Sequence, residues 1–206
     1  MQRPDTGFGT VSWARRFVKG TGRGLRGAGV AAAAGGGSDG GAVRATSGDL
    51  PSAEAVVRAL ARRGETLAVV ESLTGGLLAA TIVDVAGASA VFRGGLVAYA
   101  TDLKASLAGV PDDLLAERGP VDPDVAVALA DGGRSRCGSD WALATTGVAG
   151  PQPQGDKPVG LVYVALVGPG IREVRRLMLD SGRWAIRVGT VRAALRMLAE
   201  RVVDAG

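Results

Sequence analysis

The chain contains no histidine and a single cysteine, Cys137. These absences exclude an internal disulfide and a cysteine-based zinc site, and they argue against a catalytic transition-metal centre. Sparse cysteine is also typical of proteins from reducing compartments, so we expect a cytoplasmic location. An enzyme with a nucleophilic side chain would need a base other than imidazole to accept the proton of that nucleophile.

Aromatic residues and long apolar runs are scarce as well. Aromatic residues make up 4% of the 206 residues and hydrophobic residues 47%, which predicts a core of alanine, valine and leucine. The apolar runs are shorter than the roughly 18–20 residues that a membrane-spanning helix needs. No charged segment followed by an apolar segment and a cleavage site is evident, so neither secretion nor a membrane partner is expected.

The excess positive charge belongs to the first 50 residues. Residues 1–50 carry seven basic and three acidic side chains, whereas the rest of the chain carries 17 of each, and the net charge is +4. The same segment holds 13 glycines, which predicts a disordered Gly/Ala-rich extension over residues 1–50. A membrane-touching or partner-binding arm and an organelle transit segment are the alternatives. The neutral remainder gives no support to nucleic-acid binding.

Helical and strand-like patterns alternate over residues 51–206 and predict one domain. Helices are predicted over residues 52–63, 77–85, 102–107, 111–117, 122–136 and 183–203. Strands are predicted over residues 66–70, 95–99, 141–145, 159–167 and 172–179, the last two joined as an antiparallel hairpin. We therefore expect an α/β fold, a three-layer α/β/α domain with a mixed, mostly parallel sheet of about five strands.

The first predicted strand is followed by the sequence ESLTGG at residues 71–76. Ser72 therefore lies where ligands usually bind in open α/β sheets, at the end of a buried strand. Backbone N–H groups of Thr74, Gly75 and Gly76 would stabilise an oxyanion or bind a phosphate. The alternative is that Ser72 and Thr74 only cap the following helix.

Lys104 is the first strong candidate base downstream of Ser72. A lysine serves as a base only if its pKa falls from roughly 10.4 toward neutrality, through burial or nearby positive charge. Tyr99 ends the preceding predicted strand, where its hydroxyl would relay a proton or orient the lysine. The alternative, which the local sequence alone favours, is a solvated lysine and a packing tyrosine.

A further group of residues has the chemistry to contact an anionic ligand. It comprises a glycine-rich turn, a lysine at the start of a strand and two arginines at a helix start: Thr146, Gly147, Gly150, Lys157, Arg183 and Arg187. Glycine allows close approach of backbone to a ligand, and arginines four apart share one helix face. A tight turn, an exposed lysine and a solvated charged face are the alternatives.

Taken together, these segments resemble the C-terminal domain of the CinA family, the nicotinamide-mononucleotide (NMN) amidohydrolases. The resemblance covers about residues 52–203. The motifs follow the family's order: ESLTGG at 71–76, GASAVFRGG at 87–95, Tyr99 with Lys104 five residues later, LAGV at 107–110, GPV at 119–121, TGVAGP at 146–151 and KPVG at 157–160. The chain departs from the family pattern at Leu73, where cysteine is frequent, and at Ala100 and Thr101, where Ser-Asn is usual.

The resemblance implies a cofactor-independent hydrolase that converts NMN to nicotinate mononucleotide and ammonia in pyridine-nucleotide salvage. It implies Ser72 as the nucleophile and Lys104 as the base, with Tyr99 as the third catalytic residue. The implied partner is a small nucleotide, and apolar helix faces are compatible with a homodimer. A non-catalytic nucleotide-binding module and a competence- or damage-associated regulatory protein are the competing functions. The nucleotide-pyrophosphatase domain of longer family members is not expected within residues 1–50.

Overall fold

The computed structural model describes residues 53–203 of the chain. The helices are α1 (Ala53–Arg63), α2 (Leu77–Val83), α3 (Thr101–Ser106), α4 (Asp112–Arg118), α5 (Pro123–Cys137) and α6 (Arg183–Val202), with a short 3-10 turn at Ala88–Ala90. The strands are β1 (Leu67–Glu71), β2 (Phe92–Val97), β3 (Trp141–Gly147), β4 (Leu161–Gly168) and β5 (Ile171–Met178). The predicted disorder of residues 1–50 and the predicted helix cap at Ser52 lie outside the described residues.

The five strands form one sheet in the order β2-β1-β3-β4-β5. β1 pairs in parallel with both of its neighbours, β2 and β3. β4 is antiparallel to both β3 and β5, so it runs against the other four strands. The prediction of a mixed, mostly parallel sheet is therefore confirmed.

Helices cover both faces of the sheet and complete the predicted three layers. α1, α2 and α6 share one apolar cluster with one face, to which Val69 and Leu143 contribute. α5 covers the other face and packs on Val70, Ala142 and Ala144. Alanine, valine and leucine supply most of this core, as the composition predicts. Among the helices of residues 53–203, none combines the length and apolarity needed to cross a membrane.

Two local signals in the sequence have the predicted structural effect. Asp122 caps α5 by accepting a hydrogen bond from the backbone N–H of Asp124 at 2.8 Å, and Pro123 occupies the first helical turn. β4 and β5 form the predicted hairpin, whose ladder closes at the pair Gly168 and Ile171. The helix cap and the hairpin each depend on residues that are close in sequence, which is why both could be predicted from local sequence.

The predicted start of β2 is wrong by three residues, because the strand begins at Phe92 and includes two glycines. Gly94 and Gly95 pair with Ala68 and Val69 of β1. A Cβ atom at Gly95 would lie 2.7 Å from Cγ2 of Val69, so only glycine fits where the two strands meet. Parallel pairing with a buried neighbour thus outweighs the low strand propensity of glycine.

Candidate active site

Ser72 directly follows β1, a strand whose five residues are all buried. Its backbone N–H donates to the carbonyl of Thr145 at the end of β3, at 3.0 Å, and its carbonyl accepts from the N–H of Gly75 at 3.1 Å. Gly75 and Gly76 have φ angles of +59° and +93°, which strain other residues, so the glycines permit this sharp turn into α2. The serine hydroxyl is therefore fixed at the carboxyl end of a central strand.

Lys104 of α3 reaches that hydroxyl. Its Nζ lies 3.0 Å from Oγ of Ser72 and 2.8 Å from the carbonyl oxygen of Ala98. The Ala98 N–H in turn donates to the carbonyl of Glu71 at 2.9 Å, which ties the ends of β2 and β1 together. The lysine side chain is 1% exposed, so its amine is enclosed with these two oxygen partners.

The environment of Lys104 favours a neutral amine. Burial lowers the pKa of Lys104 from 10.5 to about 8, because removal from water penalises the ammonium form. No carboxylate of residues 53–203 forms an ion pair with its amine. With this pKa, about a tenth of the molecules carry neutral Lys104 at pH 7. Since Ala98 accepts one N–H, the nitrogen lone pair of that form is available to the Ser72 hydroxyl.

The Tyr99 hydroxyl hydrogen-bonds to neither Ser72 nor Lys104. Its side chain is 58% exposed, and its hydroxyl accepts a hydrogen bond from Nη2 of Arg183 at 3.0 Å. Since Lys104 contacts Ser72 directly, no intermediate group is needed between them. The structure places Tyr99 at the wall of the cavity that adjoins Ser72, and its catalytic role stays a prediction.

A cavity of about 260 Å³ opens beside Ser72. It brings together five of the predicted site residues: Ser72, Tyr99, Gly147, Gly150 and Arg183. Its remaining lining residues are Leu73, Val148, Ala149, Gln152 and Gln154. The two glutamines were not predicted as site residues, because nothing in a proline- and glycine-rich loop marks which side chain faces a ligand.

The N–H groups expected to bind an oxyanion are partly occupied. The Gly75 N–H donates to Ser72, and the Gly76 N–H donates to the carboxylate of Glu71 at 3.0 Å. No acceptor in residues 53–203 takes the N–H of Leu73 or of Thr74. Of the three predicted donors, the Thr74 N–H is free, whereas those of Gly75 and Gly76 are used. The second free donor is the N–H of Leu73, which was not predicted.

Glu71 is a structural determinant of the site that sequence reasoning missed. Its carboxylate is 1% exposed and accepts the N–H groups of Gly76, Leu78 and Ala79 at 2.8–3.0 Å, so it caps the start of α2. A cap that precedes the helix by six residues escapes the usual capping patterns. The available signal was an acidic residue at the end of an otherwise apolar strand, because a buried carboxylate needs hydrogen-bond donors.

The side chains of three predicted ligand residues have partners within the protein. The Thr74 hydroxyl lies 2.8 Å from that of Thr145 in the buried space between β1 and β3. Thr146 donates to the carbonyl of Pro120 at 2.6 Å, and Lys157 pairs with Asp156 at 3.3 Å. None of the three lines the cavity beside Ser72. The partners of Thr74 and Thr146 are distant in sequence, and that of Lys157 is its sequence neighbour.

The two arginines at the start of α6 have different surroundings. Arg183 lines the cavity, where it donates to Tyr99 and to the carbonyl of Gly150. Arg187 instead donates from Nε to the carbonyl of Leu73 at 3.1 Å and from Nη2 to that of Thr74 at 2.6 Å. Arg187 does not line the cavity, and two of its N–H donors bond to the protein backbone, so the structure does not bring it together with Arg183 at an anionic ligand.

The described residues offer no evident site for a metal ion. Residues 53–203 contain no cluster of three or more histidine, cysteine, aspartate or glutamate side chains. The polar side chains that line the cavity carry a serine hydroxyl, a phenol, a guanidinium and two amides, and the buried Lys104 amine contacts that serine hydroxyl. This set is suited to nucleophilic attack on a carbonyl and to binding of an anion.

Comparison with known proteins identifies relatives of this domain. Residues 49–202 match the family model of the CinA C-terminal domain. A CinA-like protein of Frankia casuarinae is 53% identical over 148 residues, which cover 70% of this chain and 34% of that protein. A CinA-like protein of Geobacter sulfurreducens is 48% identical over 166 residues, which cover 80% of this chain and 40% of that protein. The chain thus spans well under half the length of these relatives.

Solved structures show the same fold. The competence/damage inducible protein CihA of Agrobacterium tumefaciens is 35% identical with a TM-score of 0.67, over 72% of this chain and 94% of that one. A CinA superfamily protein of Klebsiella pneumoniae is 31% identical with a TM-score of 0.71, over 74% of this chain and 96% of that one. Sequence and fold agree, and the chain belongs to the CinA family through its C-terminal domain.

Proposed function

We propose that this protein is a serine amidase that hydrolyses the carboxamide of NMN to nicotinate mononucleotide and ammonia. The observation that carries the proposal is the 3.0 Å contact between Nζ of Lys104 and Oγ of Ser72. A nucleophile and a base within hydrogen-bond reach are the minimum for this chemistry. The family resemblance supplies the substrate, and the cavity beside Ser72 supplies the space for it.

Acylation begins with neutral Lys104. Its lone pair takes the hydroxyl proton of Ser72 as Oγ attacks the carboxamide carbon. The Oγ–C bond forms while the carbonyl π electrons move to oxygen, which gives a tetrahedral oxyanion. The hydrogen bond from Nζ to Ala98 keeps the amine oriented throughout this transfer.

The backbone N–H groups of Leu73 and Thr74 stabilise the oxyanion, because no protein acceptor in the described residues uses them. The Lys104 ammonium then donates its proton to the departing nitrogen, and ammonia leaves as the C–N bond breaks. Water attacks the resulting ester while Lys104 takes one of its protons. The tetrahedral intermediate collapses with cleavage of the C–Oγ bond, and Lys104 returns that proton to Oγ of Ser72. The carboxylic acid gives its own proton to solvent and leaves as the carboxylate.

Arg183 is the residue best placed to bind the substrate phosphate. It lines the cavity and carries a permanent positive charge, which suits phosphate in charge and in geometry. Tyr99 and the carbonyl of Gly150 orient its guanidinium. Gln152 and Gln154 supply amide groups for the uncharged part of the nucleotide.

A non-catalytic nucleotide-binding module is the competing function. Such a module would keep the cavity and Arg183, but it would have no use for a buried amine against a serine hydroxyl. Burial of an unpaired lysine costs stability, and a pKa moved toward neutrality is typical of catalytic groups. The environment of Lys104 therefore favours the enzyme.

Ammonia release from NMN by the wild type and by Ser72→Ala tests the proposal. We expect a loss of at least about a thousandfold in kcat for the variant, because the nucleophile is removed. Ser135→Ala, which changes an exposed serine of α5, is the matched control and keeps normal turnover. Normal turnover by Ser72→Ala, or no ammonia release by the wild type, would contradict the proposal.

A further inference from the structure

Arg187 bonds to the backbone of the nucleophile turn, Ser72–Gly75. Its Nε and Nη2 donate to the carbonyls of Leu73 and Thr74, the two residues at the centre of that turn. The carbonyl of Ser72 is used as well, by the N–H of Gly75. Every carbonyl oxygen from Ser72 to Thr74 therefore has a donor.

The orientation of these carbonyls decides the orientation of the N–H groups. The peptide bonds of the turn are trans, and in a trans peptide the C=O and N–H vectors are antiparallel. With the Leu73 carbonyl turned toward Arg187, the N–H of Thr74 points away from Arg187. The Ser72 carbonyl, which the Gly75 N–H rather than Arg187 holds, fixes the N–H of Leu73 by the same geometry, and Leu73 lines the cavity.

The Arg187 side chain is itself held in place. Its guanidinium lies over the ring of Trp184, 5.4 Å from the ring centroid, in a cation–π contact. The guanidinium is partly buried, and α6 is a 20-residue helix packed on the sheet. The turn is therefore braced against a rigid element rather than against a mobile loop.

We propose that Arg187 is a positioning residue that presents the Thr74 N–H to the oxyanion through its bond to the Leu73 carbonyl. Its bond to the Thr74 carbonyl orients the Gly75 N–H, which holds the Ser72 carbonyl and so fixes the Leu73 N–H. Its positive charge on the two carbonyl oxygens also polarises the peptide groups, which makes the Thr74 N–H a stronger donor. The residue acts without touching the substrate. This inference rests on the proposed function, since it assigns a role within the same acyl transfer.

Positioning and phosphate binding predict different kinetics. A residue that acts on the oxyanion lowers kcat and leaves KM nearly unchanged, whereas a phosphate ligand raises KM. For Arg187→Gln we expect kcat on NMN to fall about a hundredfold, and for Arg187→Lys about tenfold, because one amine replaces a two-pronged donor. Nicotinamide riboside, which lacks the phosphate, should show the same fold-loss in kcat.

Arg183→Gln and Arg192→Gln are the matched comparisons. Arg183→Gln should raise KM for NMN and leave KM for the riboside unchanged, because Arg183 lines the cavity. Arg192 is exposed on the same helix, and Arg192→Gln should behave as the wild type. Thermal unfolding of each variant reports whether it is folded, and Arg187→Lys keeps the test valid if Arg187→Gln is unstable.

Reaction with an alkyl fluorophosphonate separates this inference from the choice of substrate. Oγ of Ser72 bonds to phosphorus, the P–F bond breaks, fluoride leaves and Lys104 takes the proton. The developing charge on the phosphoryl oxygen uses the same N–H donors. We expect the rate of Ser72 labelling to fall at least about tenfold in Arg187→Lys and Arg187→Gln but not in Arg192→Gln.

The outcomes are distinguishable. Slower labelling, with lower kcat at constant KM, supports the positioning role. Wild-type labelling rates in both Arg187 variants, or a raised KM for NMN alone, overturn it. If the wild type is labelled but releases no ammonia from NMN, the proposed substrate fails while the labelling rates still decide the role of Arg187. If the wild type reacts with neither, both proposals fall.

Discussion

The buried Lys104 and the arginines of β5 and α6 lie in opposite electrostatic environments. Lys104 is buried, lies among neutral groups and has a pKa lowered to about 8. On β5 and α6, by contrast, Arg175 and Arg201 bond with Glu173 and Glu200 in a partly exposed network. Hydrogen bonding to Glu200 raises the pKa of Arg175, and the same bond lowers the pKa of Glu200.

The difference shows what a buried cation needs in order to act as a base. A carboxylate beside Lys104 would stabilise the ammonium form and keep the amine protonated at neutral pH. Carbonyl and hydroxyl oxygens accept its hydrogen bonds without adding a negative charge. The network on β5 and α6 instead stabilises the charged forms of Arg175, Glu173 and Glu200, so it offers no base.

Removal of the buried amine is expected to have the largest effect. Lys104→Met keeps the length of the side chain but removes the base, and kcat for ammonia release from NMN should fall about a thousandfold. Arg175→Met removes a cation from the surface network and should leave kcat unchanged. Equal losses in both variants would break the comparison, because they would point to general destabilisation rather than to lost chemistry.

The pH dependence of the reaction is the next largest effect. The active form of Lys104 is the neutral amine, so kcat/KM should rise with pH through an apparent pKa near 8 and then level off. At pH 6 only about a hundredth of the lysine is neutral, and the rate should be about a hundredfold below the plateau. A flat profile between pH 6 and pH 9 would contradict a lysine base.

Stability should respond to pH in the same window. The folded-state pKa of Lys104 is about 8 and the ordinary value is 10.5, so between these values the unfolded chain binds more protons. The wild type therefore gains stability as the pH rises from 8 to 10.5, by about 3 kcal/mol relative to Lys104→Met. Chemical denaturation of both proteins at pH 7.5 and pH 10.5 measures this difference, and a constant difference would argue against the lowered pKa.

The surface network should give the smallest effect. Glu200→Gln removes a partner of Arg175 at a partly exposed site, so the free energy of unfolding at pH 7 should fall by less than about 1 kcal/mol. Because the folded-state pKa of Glu200 is lowered, its contribution is present above the ordinary value of 4.5 and is lost on further acidification. Urea denaturation at low and at 1 M salt checks this, with the loss reduced by salt.

Much of the fold could be predicted from sequence because its signals are local. The buried strand β1, the Asp122 cap and the β4–β5 hairpin each depend on residues within a few positions of one another. The start of β2 could not be predicted, because the fit of Gly95 against Val69 is a contact between strands. Local propensity carries no information about such a neighbour.

The same limit applies to the site. Ser72 and Lys104 could be selected by residue type and by elimination of histidine, and the contact between their side chains is present at 3.0 Å. The separate surroundings of Arg183 and Arg187 could not be predicted, because helical spacing indicates a shared face but not which backbone lies opposite. Glu71 was missed for a related reason. Its three N–H partners lie beyond the turn, five to eight residues later in the sequence, and a capping residue normally bonds two or three residues ahead.

Direct titration of the Lys104 amine tests the central claim most directly. The chain has only three lysines, Lys19, Lys104 and Lys157, so the side-chain NMR signals can be assigned with a Lys104→Met variant. We predict that the Lys104 signal titrates near pH 8 in the folded protein. A Lys104 signal that titrates near 10.4, as in an unperturbed lysine, would show that the amine is an ordinary ammonium at neutral pH and would contradict the account.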